Sequence, residues 1–453
     1  MAVLVASRAA QRGVSRRAVV SAAAAGAAGL GAACGAVGPG GAGGAGGAPA
    51  PKLSGPVAIE HWNTQNPEHP ESVARMGVLD EFAKQHPDTV RVTHGQNSTG
   101  QGLDKFKAAL SAGTPPNIAV FYQYHASDLF TIGGLVDLDG TLKAEKDWSG
   151  TRGELYPKIL AANVWKGKLF GVPIYNSYFN MYFNQERLKQ AGLGAPARGW
   201  TWSDFAETVR KAAKPPDVWG YNSGWVLAHH RMWAGSNGGR MLNADGTKVT
   251  LTAPENVEAV QFELDLVRQG VMRDGSAPYA ELLATGGAVF QFAVPARLPL
   301  YKRDNVDFGT TLYPIGPRNQ RKEPYTLGAA YAFNVFRAAS REPEYVAALA
   351  AKWAAQREGQ LLIARLAGVP ISNRAVVESA AFKQEASKDA TYWPFIEVLP
   401  FNEPYPNYPK FQDSYDALSA QLQRVWKGEA SPREAMAEAE RLCQQHLDES
   451  LQR

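Results

Sequence analysis

A chain of 453 residues is longer than one hydrophobic core usually sustains, so two lobes are expected, and its apolar and aromatic content suits a sizeable globular interior. The formal net charge of +4 is matched by Arg8, Arg12, Arg16 and Arg17 in an acid-free segment from Met1 to Cys34. The remainder is therefore close to neutral and offers no basic surface for nucleic acid. Only Cys34 and Cys443 are present, so neither a disulfide framework nor a cysteine metal cluster is expected.

At the N-terminus, Ser15-Arg16-Arg17-Ala18-Val19-Val20 stands ahead of the small apolar run Ser21 to Ala33, which is too short and alanine-rich for a membrane span. Residues 1–34 resemble a twin-arginine export signal. Leu30-Gly31-Ala32-Ala33-Cys34-Gly35 resembles a lipoprotein processing site with Cys34 as the lipidated residue. The leucine normally three residues before the cysteine is replaced by Gly31, which leaves simple cleavage as the alternative. Residues 35–55 are rich in Gly, Ala and Pro without apolar periodicity and read as a flexible tether. An extracytoplasmic protein follows, lipid-anchored to the cell membrane or otherwise periplasmic or secreted.

Structure is expected from about Pro56. Val57 to Trp62 reads as a strand with the polar run Asn63-Thr64-Gln65-Asn66 at its C-terminal end, where open α/β sheets place ligand loops. A helix over Pro70 to Lys84, a strand over Thr89 to Thr93 and a helix over Leu103 to Ser111 follow. A turn at Ala112 to Ile118 leads into a third strand, past which Tyr122 and Tyr124 fall on a cleft rim. Gly171 to Leu193 combines strand, turn and helix start: Tyr175 to Phe183 suits a strand lining a cleft, Asn184 reads as an N-cap and Gly192 as the helix stop. Trp225, His229, His230 and Trp233 precede Gly238-Gly239, and Val257 to Arg268 has helical apolar spacing. Further on come the small-residue strand Leu327 to Phe333, a helix over Pro343 to Gln356 and closing helices.

These pieces resemble the extracellular solute-binding proteins of ABC importers, in the family-1 group that takes up maltose, other sugars and glycerol phosphate. The likeness is carried by Tyr182-Phe183-Asn184-Gln185-Glu186-Arg187-Leu188 with Ala191-Gly192-Leu193, by Thr201-Trp202-Ser203-Asp204-Phe205, and by Ala112-Gly113-Thr114-Pro115-Pro116-Asn117-Ile118. Gly134-Leu135-Val136-Asp137-Leu138, Ala284 to Val289 and Thr311 to Pro317 extend it, so that it covers roughly Pro56 to Leu447. The resemblance implies an α/β, periplasmic-binding-protein-like fold of two α/β lobes joined by multiple hinge crossings. Residues 56–162 and 281–326 would form a discontinuous first lobe, 163–280 and 327–453 the second, with crossings near Ala162, Ala280 and Leu327. It also implies a monomeric carrier with no cofactor and no chemistry on its ligand, working with ABC permease subunits.

A carbohydrate-like ligand needs aromatic faces for its C–H surfaces and short polar groups for its hydroxyls. The candidate ligand-binding residues are Trp62, Asn63, Gln65, Tyr122, Tyr124, Tyr175, Asn176, Tyr178, Trp225, His229, Trp233 and Tyr331. Maltose-type members often carry a glutamate where Ser177 stands, which argues against a maltose-like hydroxyl network. Adjacent His229 and His230 point to different sides of any element and have no regularly spaced third ligand, so no metal site is expected. A glycerol phosphate or glycerophosphodiester is the alternative ligand, with Arg231, Arg240 and Arg374 as phosphate candidates. A secreted glycoside hydrolase is the alternative of another class; it would need two carboxylates facing one cleft.

Overall fold

The computed structural model describes residues 49–96, 102–222, 226–273 and 280–452. Val57–Asn63 (β1) pairs in parallel with Val90–Gln96 (β2) on one side and Ile118–Phe121 (β3) on the other. Between β1 and β2 runs Pro70–Gln85 (α1), opened by a proline where no N–H partner is needed and by Glu71 in its first turn. Leu103–Ser111 (α2) and Gln123–Thr131 (α3) flank β3.

Val172–Tyr178 (β4) is buried at every residue, and after Phe179 the chain continues as Asn180–Asn184 (β5) in a second sheet. Asn184 caps Gln185–Gln190 (α4): its Oδ1 accepts from the Arg187 N–H at 2.9 Å, and Gly192, at φ +68°, ends the turn. Trp202–Ala212 (α5) opens on a capping box in which the Thr201 N–H donates to Asp204 Oδ2 at 2.7 Å and the Asp204 N–H donates to Thr201 Oγ1 at 3.3 Å. Trp219–Asn222 (β6), Val226–Ser236 (α6), Pro254–Arg268 (α7), Met272–Arg273 (β7), Ala288–Ala293 (β8), Arg297–Arg303 (α8) and Phe308–Thr311 (β9) complete this part of the chain. The second sheet has the order β9-β5-β8-β6-β7.

The chain then returns as Thr326–Val335 (β10), which runs antiparallel to both β3 and β4 in the first sheet. Arg341–Ala355 (α9) and Arg357–Ala367 (α10) pack on α1, followed by Ala380–Ala386 (α11) and Asn402–Pro404 (β11), the latter parallel to β10. Residues 405–410 lead away again, and Phe411–Trp426 (α12) and Pro432–Gln452 (α13) pack against α6 and α7 of the second lobe. The α/β fold of two lobes with several crossings is thus present, with crossings at Phe179, at 312–325 and at 405–410.

The lobe boundaries differ from those expected. Residues 163–178 stay with the first lobe through β4, residues 288–311 belong to the second sheet, and residues 326–367 return to the first. The cause is strand pairing: β8 is inserted between β5 and β6, so 281–311 cannot be a first-lobe excursion. Neither Ala162 nor Ala280 is a crossing, whereas Leu327 stands at one.

Gly328 has a packing reason. A methyl there would lie 2.3 Å from Tyr178 Cβ and 2.4 Å from the Ser177 carbonyl oxygen, so β10 and β4 approach only because the side chain is absent. Gly328→Ala is expected to cost about 1–3 kcal/mol in denaturant unfolding. An unchanged unfolding midpoint would show that the crossing strands are not held this tightly.

Candidate functional site

A cavity of about 490 Å³ lies where the crossings meet and is walled by both lobes. The crossing strands contribute Ser177, Phe179, Ala329 and Tyr331, and the last crossing contributes Tyr405. From the first lobe, the loop after β1 brings Gln65, the leading end of α1 brings His69 and Glu71, and the start of α3 brings Tyr122, Tyr124 and His125. The second lobe faces them with Ala228, Val294, Arg297, Gln412 and Tyr415.

Its aromatic wall is ordered. Tyr122 lies parallel to Tyr124, with centroids 5.5 Å apart and planes 12° apart, and leans on Tyr331 at 4.9 Å. Tyr331 in turn stacks on Tyr175 at 4.9 Å, and the Arg75 guanidinium sits 5.0 Å from the Tyr331 centroid. Arg75 is fully buried and spends its donors locally: Nε donates to Tyr175 Oη at 2.7 Å, Nη1 to Thr64 Oγ1 at 3.2 Å, and Nη2 to Glu71 Oε2 at 3.3 Å. Burial works against its charge, but Tyr175 and Glu71 hold it, so its pKa lies above the usual arginine value. Arg297, at the start of α8, is held by Glu281 at 2.8 Å. The cleft is therefore aromatic and polar, with its charges already matched.

The description "Bacterial extracellular solute-binding protein" matches residues 77–390. The chain belongs to this family. A binding protein of Brucella abortus (strain 2308) is 24% identical over 354 residues, covering 74% of this chain and 81% of that one. The sn-glycerol-3-phosphate-binding periplasmic protein of Pectobacterium atrosepticum is 24% identical over 221 residues, 47% of this chain and 49% of that protein. Among solved structures, the cyclic alpha-maltosyl-1,6-maltose binding protein from Arthrobacter globiformis superposes with a TM-score of 0.75 at 20% identity, covering 87% of this chain and all of that one. That likeness establishes the fold.

In this solute-binding protein, four of the sequence-chosen residues line the cleft: Gln65, Tyr122, Tyr124 and Tyr331. Trp62 does not; it points to the other face of the first sheet, where it packs on Phe106 at 5.3 Å under Lys105. Asn63 is buried on the opposite face of β1, and neither atom of its carboxamide has a hydrogen-bond partner among the described residues. Tyr175, Asn176 and Tyr178 are buried beneath the wall: Tyr175 binds Arg75, Asn176 Nδ2 donates to Ser372 Oγ at 3.3 Å, and Tyr178 donates to the Phe395 carbonyl. His229 and His230 both face Glu263, at 2.7 and 2.8 Å, inside the second lobe, and Trp233 is fully buried beside Phe205 and Tyr221. Among the described residues no group of three ligating side chains gathers around a point suited to a metal. Trp225 lies outside the described residues.

Several cleft residues carry weak sequence signals. Tyr405 sits in the run Pro404-Tyr405-Pro406-Asn407-Tyr408-Pro409, whose prolines exclude helix and mark a shaped loop. Arg297, Gln412 and Tyr415 sit in the first turns of α8 and α12 and look like ordinary helix residues until the lobes are brought together.

His125 gives this cleft a pH response. Burial pushes its pKa down to about 4, partly offset by the contact of Nε2 with Gln412 Oε1 at 3.2 Å. A folded-state value below the unfolded one means that the unfolded chain takes up the proton first, so stability is full above about 6.5 and declines as pH falls towards 4. The decline assignable to His125 is on the order of 3 kcal/mol. Denaturant unfolding of wild type and His125→Asn between pH 7 and 4 should show a shallower fall in the variant; parallel curves would refute the assignment.

Proposed function

We propose that this solute-binding protein is the substrate-binding component of an ABC importer, capturing a neutral carbohydrate-like solute between its lobes and delivering it to a membrane permease. The observation that carries this reading is the ordered tyrosine wall of Tyr122, Tyr124 and Tyr331 facing Gln65, Ser177 and Gln412 in one interlobe cavity. Aromatic faces suit the C–H surfaces of sugar rings, and the short polar groups suit hydroxyls. No catalysis is assigned. Glycoside hydrolysis requires two carboxylates about 5–9.5 Å apart, and among the described lining residues Glu71 is the single one, already bound to Arg75.

The partial match to glycerol-phosphate-binding proteins favours a second reading, an anionic ligand. Against it, the one arginine lining the cleft among the described residues, Arg297, is held by Glu281. Arg231 and Arg240 line a separate cavity of about 770 Å³, bound to Asn256 at 2.9 Å and Glu403 at 2.7 Å, and Arg374 faces Glu378 at 3.6 Å on the surface. We also place the protein outside the cytoplasm, exported through Arg16-Arg17 and anchored through Cys34; these residues lie outside the described part of the chain. Among the described residues no helix is long and apolar enough to cross a membrane. Cys34→Ala should move the protein from the membrane to the soluble fraction on cell fractionation, and continued attachment would remove the anchor.

Calorimetric titration with a panel of oligosaccharides and with glycerol phosphate tests the ligand class. A sugar should bind saturably, and Tyr122→Ala should weaken it by about 2 kcal/mol, roughly thirtyfold, with little change in stability. Trp62→Ala should do the reverse, leaving affinity intact and costing about 3 kcal/mol of folding free energy, since its ring packs on Phe106. Saturable glycerol phosphate binding without any sugar binding would replace this reading with the second.

A further inference from the structure

A second interlobe cavity, of about 820 Å³, shares no lining residue with the tyrosine cleft. One wall is α8 of the second lobe, through Leu298, Pro299 and Lys302; the other is α10 and α11 of the first lobe. The interior is largely apolar; the lining also carries Ser379, Tyr392 and two carboxylates already paired, Glu385 with Lys388 at 2.6 Å and Asp389 with Lys302. On α10, Leu361 and Ala364 line it along one stripe that runs on to Gly368 just past the helix end, and Val376, Ala381 and Phe382 continue the surface.

The same stripe ends in cations. Arg357, Leu361 and Arg365 follow at four-residue spacing and all three line the cavity, the two arginines about 12 Å apart along the helix axis. Both are exposed, and neither has a carboxylate within ion-pair distance among the described residues, whereas the neighbouring cations are engaged: Lys302 by Asp389 and Arg303 by Asp304 at 2.8 Å. An apolar chamber of this volume falls in the range of small-molecule sites. Guanidinium groups there favour an anion, and a single one can hold a carboxylate by paired hydrogen bonds.

We propose that this cavity binds a single-chain aliphatic carboxylate, with the chain lying along Leu361, Ala364, Val376 and Phe382, the carboxylate at Arg365, and Arg357 adding to the positive field. The site is separate from the carbohydrate cleft and independent of what the cleft binds. An uncharged chain would leave the two guanidinium groups unused, and a cationic one would be repelled by them.

The test is calorimetric titration of the full chain with decanoate below its micelle concentration, with decyltrimethylammonium as the chain of opposite charge. Decanoate should bind at a single saturable site and the cation should not. Ala381→Trp, which fills the mouth from an exposed position, and Arg365→Glu, which reverses one rim charge, should each weaken decanoate by about tenfold or more. Both variants should keep the wild-type thermal midpoint, which establishes that the loss is local. Absence of saturable binding, or affinity unchanged in both variants, overturns the site. Loss in Ala381→Trp with full retention in Arg365→Glu, or equal binding of the cation, overturns the carboxylate assignment.

Discussion

Two strands lying side by side at the crossing govern this structure. β4 and β10 pair antiparallel from Val172 to Tyr178, and at the end of that ladder the Phe179 N–H donates to the Leu327 carbonyl at 3.1 Å while Thr326 Oγ1 donates to the Phe179 carbonyl at 2.6 Å. One residue later the chain is in the other sheet. Two of the three crossings are therefore tied in one short hydrogen-bonded patch, and the closeness of that patch rests on Gly328 having no side chain. The cleft lies over it, because Ser177, Phe179, Ala329 and Tyr331 are the residues that the crossing turns outward.

The wall above the crossing needs a buried charge beneath it. A fully buried guanidinium is costly unless its donors are used, and Arg75 uses them on Tyr175, Thr64 and Glu71 while lying against the ring of Tyr331. This arrangement fixes α1 to the crossing strands and sets the tilt of Tyr331 in the cleft. Glu71 thus has two faces: one oxygen holds Arg75, and the side chain also borders the cavity. The carboxylate is neutralised before any ligand arrives, which suits a site for uncharged hydroxyls better than one for a cation.

Legibility in the sequence followed the range of the interactions. Asn184, Gly192 and the Thr201 to Asp204 box act within a few residues, and each stands where local capping chemistry puts it. The identity of the crossover was readable for the same reason. Lobe membership was not, because it depends on β8 entering the second sheet between β5 and β6, as in the pairs Phe290 with Phe183 and Phe290 with Tyr221, far apart in the chain. The aromatics divide in the same way. Trp62 follows His61 along a strand, so the two point to opposite faces, and only the position of α2 decides that the tryptophan face is covered by Phe106. Tyr175 and Tyr178 are strand residues of the type expected in a cleft, yet Tyr331 and Arg75 cover the first and Phe395 the second. Tyr405 and Gln412 join the cleft only through the last crossing, more than two hundred residues after Tyr124 and His125, which they respectively meet.

The division of labour between the lobes follows from which groups are tied to which sheet. Gln123 fastens the last crossing to the first lobe, its Nε2 donating to the Tyr405 carbonyl at 2.8 Å and its Oε1 accepting from the Ala330 N–H at 3.2 Å. Tyr405 therefore moves with Tyr122, Tyr124 and Tyr331, and the whole aromatic wall is a first-lobe feature. The second lobe brings Arg297 and Gln412 to the opposite side, the former held by Glu281 and the latter already touching His125 across the cleft. A ligand shifts the balance between open and closed arrangements only by the difference in its affinity for the two. On the proposed function, stacking against the tyrosines is available in either arrangement and contributes little to that difference. The closing force then comes from contacts with the second-lobe groups, Arg297, Gln412 and Tyr415, so the first-lobe tyrosines set how tightly a solute is held while what reaches the opposite lobe sets whether the lobes close upon it.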